Sequence, residues 1–306
     1  MASLPLPKGV SVLERGWLSS NSIVLTGADH CALIDSGYCT HSDQTLLLVE
    51  SALQGRPLDL LLNTHLHSDH VGGNAALQAR YPAMQTLIPP GHAAYVAAWD
   101  TERLTYQPTG QTCPQFRFDA TLQPGTEMRL GDMAWQVHAA PGHDSHSVIL
   151  FEPQSRTLVS ADALWERGFG VVFPELDGDD AFHEVAQTLD VIEALQPLLV
   201  IPGHGSPFTD VSAALARARQ RLDGFVADPA RHLQHAAKVL LKFKLLELQS
   251  VSMADLLAWA GATPYVAQLV AQNYADHTLA QALNVLVQDL VRAGAATLHG
   301  EQLHNA

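Results

Sequence analysis

The sequence predicts a mixed α/β (α+β) chain, with sheet and helix layers over residues 1–210 and a helical C-terminal domain over residues 211–306. Three observations predict it. Short apolar runs alternate with turn signals and helical stretches through the first 210 positions, the order that builds layered folds. From about Val211 the strand signals vanish and long helical periodicity takes over. A chain of 306 residues with 47% hydrophobic and 16% charged side chains can bury a sizeable core, which excludes a disordered protein.

The elements follow in chain order. Residues 22–25 and 31–34 read as a strand pair joined through Thr26-Gly27-Ala28-Asp29. Residues 43–54 place Leu46, Leu47, Val49 and Leu53 at helical spacing and stop at Gly55 and Pro57. Residues 58–62 form a short apolar strand, and 71–79 a helix. Residues 86–88, 134–139, 148–151, 157–160 and 198–201 are further strands, and 180–195 is an amphipathic helix ending before Pro197. In the C-terminal region residues 211–226 and 231–248 are helices. Ser252 is placed to cap 253–260, and Thr263 with Pro264 to start a helix running to Asn273. Residues 279–292 form the last helix, closed by Gly294, and 296–303 a hairpin around His299-Gly300-Glu301. The glycine-rich, aromatic segment following Asp162, which carries Trp165, Phe169 and Phe173, reads either as the lining of a substrate pocket or as a core-packing loop. Residues 91–113, with Tyr95, Trp99 and Tyr106, read as a lid or as surface packing.

Charge and cysteine content narrow the partners. Seventeen Lys and Arg against 31 Asp and Glu give a formal charge of −14, which disfavours broad binding to nucleic acid or anionic lipid. Only Cys31, Cys39 and Cys113 occur, too few for a disulfide framework, so a reducing, cytoplasmic setting is expected. Residues 1–15 hold no apolar core of a signal peptide, and no run is long enough to span a membrane. Seven basic residues between Arg217 and Lys244 face only Asp223 and Asp228, a local charge of +5. Arg231, Lys238 and Lys242 share one helix face. That face reads as solvated charge rather than as a phosphate or RNA surface.

Histidine is the outlier, with 16 residues. The run Thr64-His65-Leu66-His67-Ser68-Asp69-His70, followed by Val71-Gly72-Gly73, crowds three imidazoles and a carboxylate directly after an apolar strand. Such a set suits Zn or Fe, which accept nitrogen and oxygen donors. Pro141-Gly142-His143, Ala161-Asp162 and Pro202-Gly203-His204-Gly205 each follow another strand by one to four residues, so their side chains are expected to meet at one sheet edge. The remaining histidines, His146 among them, match no ligand spacing and read as ordinary surface or core residues. Ser68 and Ser145 read as turn residues.

These residues resemble the metallo-β-lactamase superfamily over roughly residues 10–210, with no ligand position missing. The resemblance implies an αββα sandwich with a metal centre at one edge of its two sheets. It implies that His65, His67 and His143 hold a first divalent ion, that Asp69, His70 and His204 hold a second, and that Asp162 and a hydroxide bridge them. Zn is the expected metal, with Fe or Mn as alternatives. Asp35 matches an aspartate beside the ligands. Asp69 is expected also to orient the nucleophile or carry a proton. The Thr64–Gly73 run resembles glyoxalase II, so a metal-dependent hydrolase of a small thioester, ester or lactone is expected, with a single-stranded-RNA endonuclease as the alternative. The glutathione-binding residues of glyoxalase II have no identifiable counterparts. A flavin-linked redox branch carries glutamate where this chain has His67. Three helices and a terminal hairpin look like the winged-helix tail of the β-lactamase-like protein 2 branch. Asp255, Asp276 and Asp289 point this tail toward packing or homodimerisation, with nucleic acid the disfavoured partner.

Overall fold

The computed structural model describes residues 6–306, so part of the 1–15 segment read for a signal peptide lies outside the described residues. The chain divides into two compact units, Met1–Asp100 with Cys113–Asp223, and Thr101–Thr112 with Gly224–Ala306. The sequence reading divides the chain once, between residues 210 and 211. In the structure the helix there runs on to Ala227, and residues 101–112 join the later unit.

The first unit contains two sheets. The first sheet holds β1 (Val10–Leu13), β2 (Ser22–Thr26), β3 (Cys31–Ile34), β4 (Leu60–Leu62), β5 (Gln85–Ile88) and β6 (Ala120–Thr121), in that spatial order. Strands β1 to β3 are antiparallel, and β3 to β6 run parallel. Parallel neighbours need crossovers. These contain α1 (Ser42–Leu53), α2 (Ser68–Val71) with α3 (Asn74–Arg80), and α4 (Ala93–Ala98). The second sheet holds β7 (Glu127–Leu130), β8 (Met133–Ala139), β9 (Val148–Glu152), β10 (Thr157–Ala161) and β11 (Leu199–Pro202), ordered β11-β10-β9-β8-β7. Helices α5 (Phe173–Leu176) and α6 (Phe182–Leu195) link β10 to its parallel neighbour β11, and α7 (Val211–Ala227) follows.

The period-two alternation of strand side chains sorts the core. Ile23, Leu25, Ala32, Ile34 and Leu62 pack with Trp135, Val137, Val148, Leu150, Val159 and Ile201 of the second sheet. Their neighbours Val24, Cys31, Leu33 and Leu61 point the other way, onto Val49 and Leu53 of α1 and Leu77 of α3. Both faces of the central strands are therefore covered, which is why β3 and β4 read as unbroken apolar runs.

The second unit holds α8 (Pro229–Leu248), β12 (Ser250–Ser252), α9 (Met253–Ala262), α10 (Pro264–Asn273), α11 (Leu279–Arg292), β13 (Ala296–His299) and β14 (Gln302–Asn305). The expected hairpin is present, and β12 joins it on the β14 side to make a three-stranded antiparallel sheet. Ser252 caps α9 by accepting from the Asp255 amide. Thr263 occupies the position before Pro264, but its hydroxyl donates to the Trp259 carbonyl instead of capping α10. Thr278 and Gln281 form a reciprocal capping box on α11. Among the described residues no helix is long and apolar enough to cross a membrane.

Several local expectations are corrected. The helix expected at 71–79 is two pieces, α2 and α3, separated at Gly72 and Gly73. A Cβ on Gly72 would stand 2.4 Å from the Cys39 amide nitrogen, so the chain passes too close to admit a side chain there. The segment 91–113 is packed rather than draped as a lid. Val96 of α4 is buried, and Leu104 and Tyr106 of the second unit are buried as well. Strands β1, β7 and β12 and helices α4 and α5 escape sequence detection because each is only three to six residues long.

Candidate metal centre

Each expected ligand sits where a strand ends. Thr64, His65 and His67 follow β4, and Asp69 and His70 lie in the short α2. His143 follows β8, Asp162 follows β10 and His204 follows β11. The structure brings all seven together in two groups, one of His65, His67 and His143 and one of Asp69, His70, Asp162 and His204. Within each group the donor atoms lie within 4.8 Å of one another. Asp162 stands between the groups, 3.5 Å from His143 Nε2, 3.5 Å from His70 Nε2 and 3.8 Å from His204 Nε2. Asp69 Oδ2 is 3.1 Å from His204 Nε2.

Hydrogen bonds behind the rings fix which nitrogen faces inward. The Asp35 carboxylate accepts from the Thr64 amide at 2.9 Å, the Thr64 hydroxyl at 2.8 Å and His70 Nδ1 at 2.7 Å. The single Thr64 hydroxyl proton is thereby spent on Asp35, so the contact to His65 Nδ1 at 3.1 Å has the ring N–H donating. The Val171 carbonyl accepts from His143 Nδ1. Three imidazoles consequently turn Nε2 toward the cluster, a pattern typical of metal-binding histidines. Asp35 lies behind His70 rather than among the donors.

The donors are poorly satisfied by one another. His143 Nε2 faces His67 Nδ1 at 2.8 Å and His65 Nε2 at 3.3 Å. His70 Nε2 is buried with no hydrogen-bond partner among the described residues. A buried polar atom left in that state is costly unless something binds it. Burial, and then the neighbouring His70, His67 and His143, hold His65 well below its ordinary pKa. Burial and His143 push His67 down to about 4. Burial opposes ionisation of Asp162, yet His204, His70 and His143 outweigh it and hold the carboxyl well below the usual range. Burial likewise opposes the imidazolium of His70, and Asp35, Asp162 and Asp69 override it. His65 and His67 are thus neutral beside ionised carboxylates, the forms that bind a divalent cation, and the carboxylates that favour a proton on His70 would equally favour a cation in its place. The residues therefore fit such an ion.

Two glycines permit this density. A Cβ on Gly203 would stand 2.1 Å from Asp162 Oδ1, and one on Gly170 would stand 2.3 Å from His143 Nδ1.

The expected pocket residues separate. Trp165 donates its indole N–H to Asp162 Oδ1 at 3.2 Å and sets its ring edge-on to His204 at 5.5 Å. Phe173 lies 4.8 Å from the His67 ring and 5.8 Å from that of His143. Phe169 is only 1% exposed and carries the Arg221 guanidinium on its face, so it packs the core and lines no open surface. His146 rests against His92 and not in the cluster.

Sequence reasoning missed residues of the loop before β2. Asn21 donates to the Pro202 and Gly205 carbonyls and so clamps the turn that presents His204. Trp17 stacks on His204 with ring centroids 5.4 Å apart. No local signal marks them, since their partners lie some 180 positions away. The basic face of α8 is largely engaged internally. Lys242 donates to the Ala295 carbonyl and Asn305, and Lys238 and Lys244 oppose Asp289 and Glu247.

A hydroxyacylglutathione hydrolase of Anaeromyxobacter dehalogenans (strain 2CP-C) is 31% identical over 224 residues, 71% of this chain and 76% of its own length. The acyl-coenzyme A thioesterase MBLAC2 of Homo sapiens is 26% identical over 218 residues, 64% of this chain and 78% of its own. Other hydroxyacylglutathione hydrolases are matched over 39% to 58% of their own length. A solved metallo-β-lactamase family protein from Thermus thermophilus shares the fold, with a TM-score of 0.56 at 18% identity over 99% of this chain and 100% of its own. The family model of the metallo-β-lactamase superfamily matches residues 15–204, and the chain belongs to that superfamily.

Proposed function

We propose that the protein hydrolyses a small acyl-thioester, with His65, His67 and His143 holding one divalent ion, Asp69, His70 and His204 holding a second, and Asp162 touching both. The observation that carries this reading is the convergence of seven nitrogen and carboxylate donors, with His70 Nε2 buried among them and without a hydrogen-bond partner among the described residues. Zn suits the donor set, and Fe and Mn accept the same atoms. Two relatives carry thioester-cleaving names, a hydroxyacylglutathione hydrolase and an acyl-coenzyme A thioesterase, which favours a thioester over an ester or lactone.

When bound, divalent ions in such a site supply a water acidified to a pKa of about 7 and polarise a substrate carbonyl. The protein's own groups do the rest. Asp35, Thr64 and the Val171 carbonyl keep His70, His65 and His143 in the tautomers that donate through Nε2. Asp69 is partly exposed at the mouth of the cluster. Burial opposes its ionisation, but His70 and His204 hold its pKa below the ordinary value. It is therefore a carboxylate at neutral pH, able to orient an attacking water and accept its proton. Thiols ionise near pH ~8.5, so a thiolate departs from the tetrahedral carbon with little need of protonation. No protein nucleophile is required. Burial pushes the Cys31 thiol up, and Ser68 opens α2. Phe173 and Trp165, both half-buried, offer apolar walls to the acyl group on opposite sides of the donors.

A reducing cytoplasmic setting belongs to the same reading, with Cys31, Cys39 and Cys113 as free thiols. A homodimer through the C-terminal residues belongs to the same reading and is tested by comparing the solution mass of the full chain with that of one monomer. The function is tested with metal-replete protein on acyl-glutathiones, acyl-coenzyme A esters, lactones, phosphodiesters and single-stranded RNA. Turnover of thioesters that disappears on chelation and in His67→Ala is the expected result. Cleavage confined to RNA or phosphodiesters would overturn the reading.

A further inference from the structure

Glu166 and Arg167, which follow the Trp165 whose indole donates to Asp162, line with Arg217 an open cavity of about 460 Å³. The turn that forms one wall is held at Trp165, Glu166 and Gly168. Trp165 and Gly168 exchange backbone hydrogen bonds at 2.6 and 3.3 Å, and the Trp165 indole holds Asp162. The Glu166 carbonyl accepts from Arg217 Nε at 2.8 Å. Gly168 adopts φ +136° against Arg221, where a Cβ would stand 2.7 Å from the Arg221 Nη1 atom. Arg167 is thus displayed from a fixed backbone only two residues from a ring that contacts the cluster. Among the described residues its guanidinium makes no hydrogen bond or ion pair. Arg217 is anchored through Nε, which leaves its outer N–H groups for a ligand.

In a chain of net charge −14, two guanidinium groups on one cavity are a local reversal of sign, and the Glu166 carboxylate offsets only one of them. Paired arginines with a fixed fork suit planar carboxylates and phosphates. We propose that Arg167 and Arg217 form a subsite for an anionic group on the thiol half of the thioester, the part that departs after cleavage. This inference rests on the thioester reading above. The shared chemistry is an oxyanion held by two arginines. Its source is either the carboxylates of a peptide thiol such as glutathione or the phosphates of a nucleotide thiol such as coenzyme A.

The test uses full-length, metal-replete protein and one acyl group on three thiols: uncharged N-acetylcysteamine, glutathione and coenzyme A. Arg167→Ala and Arg167→Glu alter an exposed side chain, so the fold is retained and circular dichroism verifies it. The ratio of kcat/KM on the preferred anionic carrier to that on N-acetylcysteamine should fall about tenfold in Arg167→Ala and further in Arg167→Glu, chiefly through KM. Loss on the glutathione ester alone identifies carboxylates, and loss on the coenzyme A ester alone identifies phosphates. An unchanged ratio overturns the subsite while leaving the thioester reading intact. A second measurement is independent of turnover: quenching of tryptophan fluorescence by free coenzyme A and by S-methylglutathione, with Trp165 adjoining the cavity. Binding of either that weakens at least fivefold in Arg167→Glu supports the subsite even if no thioester is hydrolysed. Binding of neither to the wild-type protein overturns it.

Discussion

Asp35 shows how one side chain governs a whole group of donors. It adopts φ +59°, a left-handed conformation that costs an L-residue energy, and from there accepts three hydrogen bonds, from Thr64 twice and from His70. Asp35→Asn keeps the shape but removes the charge that orients His70. Metal affinity should fall about 10–100-fold, the usual cost of losing such a partner, and competition with a chromogenic chelator measures it. Gly170→Ala should be harsher, because its methyl group would collide with the His143 ring. Metal content per chain should drop by about one ion, read by elemental analysis, with the fold retained by circular dichroism. At this scale His65, His67, Asp69 and His70 were legible, since a crowded run after a strand needs no tertiary information to be noticed, whereas His143, Asp162 and His204 were readable only through their shared position after strand ends and the family resemblance. Asn21, Trp17 and the Val171 carbonyl were not. Their roles consist entirely of contacts made across the fold, and a backbone carbonyl leaves no mark on composition.

Elements were legible where both faces of a strand are buried or where a helix carries a broad apolar stripe. α11 buries Ala282, Leu283, Leu286, Val287 and Leu290 along one side, and its periodicity was plain. β7, with the sequence Glu-Met-Arg-Leu, closes one edge of its sheet and is half polar, so it gave no strand signal. The turn joining β9 to β10 supplies the pH-dependent case. Glu152 accepts from the Gln154 amide and from the amide and hydroxyl of Ser155, with Arg156 at φ +55° completing the reversal. Burial opposes its ionisation, but the Ser155 and Gln154 hydrogen bonds prevail and hold its pKa below the ordinary glutamate value. A carboxyl with a lowered folded-state pKa stabilises the protein above its unfolded pKa, and that contribution is lost as pH falls through the folded value. Glu152→Gln should therefore destabilise by about 1 kcal/mol at pH 7. Urea unfolding at neutral and at acid pH should show the gap closing as the wild-type carboxyl takes up its proton. A gap that persisted unchanged in acid would contradict this account.

For the molecule as a whole, metal binding and folding should be linked, because the assembled site exists only in the folded state. Metal-free protein should unfold at a lower temperature, and the midpoint should climb with added Zn. A ligand at about a hundred times its dissociation constant contributes about 2.7 kcal/mol, enough for a shift of several degrees in calorimetry. The overall layering was readable from the order of apolar runs. The division into units was not, because nothing local says that residues 101–112 pack with residues beyond 223. In that later unit the Tyr265 amide donates to the Pro108 carbonyl, and Gly110 approaches Trp259 closely enough that a Cβ would stand 2.6 Å from its indole nitrogen. Translation delivers this strip more than a hundred residues before the helices it joins. A gene fragment starting at codon 224 would encode every one of those helices and still lack an internal piece of their domain.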